Sequence, residues 1–65
     1  MNKSEISATL ITLRGEKSRE DVAKALGISV STLQMYENGQ RIPKDEIKIR
    51  IANFYNKTVG DIFFS

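Results

Sequence analysis

Sixty-five residues with 10 Lys and Arg, 8 Asp and Glu, a formal net charge of +2 and neither cysteine nor histidine describe one small, mildly basic domain. The two missing residue types exclude disulfide staples, thiolate nucleophiles and imidazole acting as base or metal ligand. The acids are too scattered to suggest a carboxylate cage, so no enzyme activity, metal or other cofactor is expected. No apolar run approaches the ~20 residues that span a bilayer, and Met1 to Glu5 lacks the apolar stretch of a signal peptide, so the expectation is a cytoplasmic chain with no membrane partner.

The first predicted helix starts after Asn2 or Ser4. Asn2 with Glu5 has the spacing of a capping box. Ile6, Leu10 and Leu13 fall at i, i+4, i+7 and make one apolar face, and Gly15 ends the helix. The second helix opens more sharply. Ser18 supplies a capping hydroxyl and Asp21 a carboxylate at the positive end of the helix dipole. Val22, Ala23 and Leu26 line its inner side, and Gly27 stops it at once. Ser29 caps the third helix, whose inner side carries Leu33 and Tyr36, and Asn38-Gly39 ends it. A link as short as Gly27-Ile28 forces the second and third helices to cross steeply.

The stretch from Glu46 to Phe54 reads two ways. Ile47, Ile49 and Ile51 alternate with Lys48 and Arg50, the period of a half-exposed strand. Ile47, Ile51 and Phe54 also fit a helical stripe, widened by Ala52 and Tyr55. A lone strand has no partner in a chain otherwise helical, so helix is the prediction, with Pro43 near its start. Thr58 then caps a short last helix, Val59 to Phe63, with Asp61 at its third position. Phe54, Tyr55, Phe63 and Phe64 are expected in the core. Two adjacent aromatics at one helix end cannot easily both be buried, however, which leaves one for a dimer contact. Lys48, Arg50 and Lys57 are expected on a solvated face.

The side chains on the third helix separate by role. Leu33 and Tyr36 point one way. Ser31, Gln34 and Met35 point the other, with Val30 at the leading end. This outer set is short, uncharged and mixed, which suits a helix in a DNA major groove: amides and hydroxyls meet base edges, and apolar groups meet thymine methyls. A merely solvated face more often carries Lys and Glu. Around this helix lie candidate phosphate contacts: Lys17, Arg19, Thr32, Asn38, Gln40 and Arg41. Glu37 reads as structural, because a carboxylate near DNA repels it.

The run from Ser18 to Gly39, SREDVAKALGISVSTLQMYENG, resembles the lambda-repressor/Cro-like helix-turn-helix family, also called the XRE family. Val22, Ala23, Leu26, Gly27, Ile28, Leu33 and Tyr36 stand at that family's buried and turn positions. Glu37-Asn38-Gly39, followed by Arg41-Ile42-Pro43, is similar to its exit from the third helix. Ile51-Ala52 and Val59 to Phe63 resemble its fourth and fifth helices. The likeness covers nearly the whole chain and implies an all-α, compact five-helix domain over residues 1–65 with a central helix-turn-helix.

The resemblance also implies a buried Arg–Glu pair joining the first helix to the end of the third, with Arg14 the candidate partner of Glu37. The chain departs from the family pattern at Arg19, where relatives have a glutamine that touches the DNA backbone. It departs again in the link from Gly15 to Lys17, which is about two residues shorter than usual. The function implied is a sequence-specific transcriptional regulator, a Cro-like or repressor protein of a bacterium, phage or mobile element. It would bind a pseudo-palindromic double-stranded operator as a homodimer with half-sites ~10 bp apart. The competing expectation is a protein-interaction module on the same fold, such as an antirepressor or antitoxin.

Overall fold

The computed structural model describes residues 2–64; Met1 and Ser65, the ends of the expected domain, lie outside the described residues. The elements, in order, are α1 (Lys3–Arg14), α2 (Arg19–Leu26), α3 (Val30–Glu37), α4 (Asp45–Phe54) and a closing π-helical turn, α5 (Gly60–Phe64). The described residues contain no strand, so the alternating isoleucines belong to a helix. None of the helices is long and apolar enough to cross a membrane.

The capping signals form as the spacing predicts. The Glu5 N–H donates to Asn2 Oδ1 at 2.9 Å, which places the start of α1 after Asn2 rather than Ser4. Asp21 N–H donates to Ser18 Oγ and Thr32 N–H to Ser29 Oγ, each at 3.1 Å. Each contact satisfies an otherwise orphaned N–H and contributes about 1 kcal/mol to its helix. Thr58 and Asp61 cap each other: Asp61 N–H donates to Thr58 Oγ1, and Thr58 N–H donates to Asp61 Oδ2. The closing element differs from the predicted Val59 to Phe63 helix. It runs through Gly60–Phe64 with the wider π-helical turn, which carries both Ile62 and Phe63 into the core.

One core joins all five elements. Ile6 and Leu10 come from α1, Val22, Ala23 and Leu26 from α2, Leu33 and Tyr36 from α3, Ile51 and Ala52 from α4, and Ile62 and Phe63 from α5. α3 packs on α1 and α2, α4 packs on α2, and α5 packs on α1. The helix-turn-helix is therefore held between α1, which packs on α3, and α4, which packs on α2, and its own inner faces supply only part of the apolar area that stabilises it.

The expectations for Phe54 and Lys48 fail. Phe54 is 38% exposed, so it is not a core residue; of the adjacent pair at the end of α5, Phe63 is buried and Phe64 is 66% exposed, in keeping with the expectation that both cannot easily be buried. Phe54 stands edge-on to Tyr55 with ring centroids 5.0 Å apart, at the rim of the core. Lys48 is not solvated: its side chain is 13% exposed, and its ammonium lies 5.6 Å from the Phe63 ring centroid and 4.8 Å from that of Phe64. The long aliphatic stem covers α5 while the charge rests on aromatic faces. Arg50, also expected on the solvated face, is half exposed and donates through Nη1 to the Leu26 carbonyl at 3.3 Å. It thereby satisfies a carbonyl that the end of α2 leaves open.

Candidate nucleic-acid interface

The turn between α2 and α3 determines how the candidate reading helix is presented. Gly27 takes φ +72°, ψ 32°, a left-handed conformation costly for any residue with a Cβ. Its N–H and that of Ile28 fold back onto carbonyls of the last turn of α2, with Ile28 N–H donating to Ala23 at 3.0 Å. Ile28 packs against the core, and Ser29 opens α3 directly. No slack remains in this link, so α3 is held at a defined angle to α2. Arg50 reaches the same corner from α4.

α3 divides as expected. Leu33, Tyr36 and Glu37 are buried on its inner side. Ser31 and Gln34 are exposed, Val30 is 38% exposed, and Met35 is half-buried at the edge of the face. Helical spacing brings these four residues onto one surface, since 30 and 34, 31 and 34, and 31 and 35 are neighbours three or four apart. Among the described residues, none of these four side chains makes a hydrogen bond within the protein. Thr32 differs, because its hydroxyl accepts from Ser29 Oγ at 2.8 Å and belongs to the helix cap.

The expected flanking residues fall into two groups. Lys17, Asn38, Gln40 and Arg41 are exposed. The segment leaving α3 is well braced: Gln40 and Arg41 N–H both donate to the Met35 carbonyl, at 2.9 and 3.3 Å. Asn38 Oδ1 also accepts from Gln40 N–H at 3.3 Å. The Gln40 and Arg41 side chains therefore project from fixed backbone. Arg19 forms the second group alone. It is half-buried, and its Nε donates to Glu37 Oε1 at 2.9 Å.

Arg14 is the partner of Glu37 that the resemblance implied. Its Nε donates to Glu37 Oε2 at 2.8 Å, and its Nη1 to the Lys17 carbonyl at 2.9 Å. The pairing of Glu37 with Arg19 as well was not visible in the sequence. One carboxylate, 1% exposed, is thus shared by two guanidiniums from two helices. Burial of a single acid between two arginines satisfies the desolvation demand of the carboxylate and leaves the trio with one surplus positive charge. Nearby, burial raises the Tyr55 phenol above its ordinary value of 10.0, with the Glu37 charge adding to the rise and the Arg14 charge opposing it. Among the described residues, no group of acids could hold a metal ion, and no pocket opens into the molecule.

A family model described as helix-turn-helix matches residues 10–62. An uncharacterized HTH-type transcriptional regulator of Methanocaldococcus jannaschii is 37% identical over 46 residues, a match covering 71% of this chain and 70% of that protein. No solved structure matches the chain significantly.

Proposed function

The chain belongs to the helix-turn-helix family, and from that premise we propose that it is a DNA-binding transcriptional regulator reading an operator major groove with α3. The observation that carries this reading is the outward face of α3. It is uncharged, exposed at Val30, Ser31 and Gln34, and its side chains make no hydrogen bonds among the described residues, while the opposite side of the helix is buried in the core. In this reading Val30, Ser31, Gln34 and Met35 meet base edges and methyl groups. Lys17, Arg19, Thr32, Asn38, Gln40 and Arg41 meet the phosphate backbone and set register. The relative named as a transcriptional regulator supports the same class of activity.

We further propose a Cro-like or repressor mode of action in the cytoplasm: two copies bind a pseudo-palindromic operator, with half-site centres about one turn of DNA, ~10 bp, apart. The deciding experiment is selection of bound fragments from sheared genomic DNA, followed by affinity measurements over a salt series. A recovered symmetric site whose affinity falls steeply with salt supports the reading. A protein partner held with little salt dependence, and no enriched DNA, would replace it with the interaction-module reading. A monomer on a single asymmetric half-site would remove the dimer.

A further inference from the structure

Resting on the DNA-binding reading above, we infer that Glu37 is a positioning residue for the DNA backbone. It acts by holding Arg19 through Nε, so that the far edge of that guanidinium is presented to a phosphate. The two arginines on Glu37 are not equivalent. Arg14 uses Nε on the carboxylate and Nη1 on the Lys17 carbonyl, and its side chain is 17% exposed. Arg19 uses only Nε among the described residues, and its side chain is 38% exposed. The surplus positive charge of the trio therefore reaches solvent through Arg19, the first residue of α2.

The helix end alone does not attract an anion there. Glu20 and Asp21 occupy the first turn of α2 and offset its dipole. Arg19 is the basic residue in the first turn of α2, and its Nε is held from behind by a buried acid. A planar fork with donors on two edges can bond a carboxylate and a phosphate together, whereas a lysine ammonium has one nitrogen for both. Glu37 lies 18 positions along the chain and is too buried to approach DNA, so it can influence the backbone only through this arginine.

The test uses labelled duplexes, one carrying the selected site and one of unrelated sequence, with the fold of each variant checked by circular dichroism. Arg19→Ala is expected to weaken both duplexes about tenfold or more and to reduce the steepness of the log affinity against log salt plot by about 0.9. Arg19→Lys keeps the charge and is expected to bind several-fold more weakly than wild type. In Glu37→Gln, removing Arg19 is expected to weaken binding by a smaller factor than it does in wild type, because the arginine is no longer held. Equal factors in both backgrounds would overturn the inference. So would an Arg19→Lys protein that matches wild type in affinity and salt dependence, a comparison that decides the matter even where Glu37→Gln does not fold. Wild-type protein that binds no DNA removes the functional reading as well, whereas steep wild-type binding that is indifferent to Arg19 removes this inference alone.

Discussion

Replacing Arg14 by methionine, which keeps an unbranched stem but removes the guanidinium, isolates the share of stability that Arg14 contributes to the buried ion trio. The substitution removes the 2.8 Å bond to Glu37 Oε2 and the 2.9 Å bond to the Lys17 carbonyl. The second loss is small, because Lys17 is exposed and its carbonyl returns to water. The first is larger, since Glu37 is buried and a hydrogen bond to a charged group contributes about 1.5–3 kcal/mol. Breaking a fully buried pair costs about 3–5 kcal/mol, but Arg19 still holds the other oxygen, so the loss should stay near 2–3 kcal/mol. A domain of 65 residues has a total stability of about 3–10 kcal/mol, so this one change removes a large share of it. Urea unfolding followed by circular dichroism measures the loss directly, and the midpoint of thermal unfolding should fall by about 10–20 °C. Arg19→Met, at a more exposed position, should cost about 1 kcal/mol. A loss below about 0.5 kcal/mol for Arg14→Met, or a larger loss for Arg19→Met, would refute the assignment of Arg14 as the main fold-bearing partner.

Other perturbations separate the remaining roles. Gln34→Ala should change the preferred base at one operator position by ~1–3 kcal/mol of discrimination, read by repeating the fragment selection; Arg41→Ala should weaken all sequences alike and shallow the salt dependence. Asn56, with φ +56° just past α4, should lose about 1 kcal/mol on replacement by alanine and little on replacement by glycine, measured by urea titration. The Asp61 carboxyl lies below its ordinary 3.8, held there first by the Thr58 N–H and then by the Thr58 side chain. A folded value below the unfolded one stabilises the protein above the ordinary value, and this contribution is lost as pH falls through the folded one. Carboxyl NMR titration should therefore place Asp61 below 3.8, and Thr58→Val should undo only part of the shift, because the backbone donor remains. A full return to 3.8 in that variant would show the hydroxyl to be the main cause.

What could be read in advance follows the range of the interaction. Asn2, Ser18, Ser29 and Thr58 each cap a backbone N–H three residues away, so the signal and its partner sit in the same short stretch of chain. The inner faces of α1 to α4 were legible in outline through their spacing. Lys48 and Phe54 were misjudged because their surroundings come from other elements, the rings of α5 for Lys48 and the edge of the core for Phe54; Arg50 is exposed as expected, but its bond to the end of α2 was not legible for the same reason. Arg19 shows the same limit. Its position at the head of α2 was plain, but its tie to Glu37 crosses 18 positions and depends on how α2 meets α3. Arg14 also braces the short link from Gly15 to Lys17 through the Lys17 carbonyl.

Under the proposed base-reading role of α3, the freedom of its outward side chains bears on how such a protein changes its target over evolutionary time. Val30, Ser31 and Gln34 support no neighbouring group, and exchanges at positions of this kind alter stability by no more than about 0.5 kcal/mol. Mutation can explore this surface while the scaffold beneath it stays under separate selection. In the proposed reading, a duplicated copy drifts to a new address in the genome through two or three changes here, with its folding intact. Thr32 marks the boundary of that freedom, because its hydroxyl is tied to the cap that starts the helix.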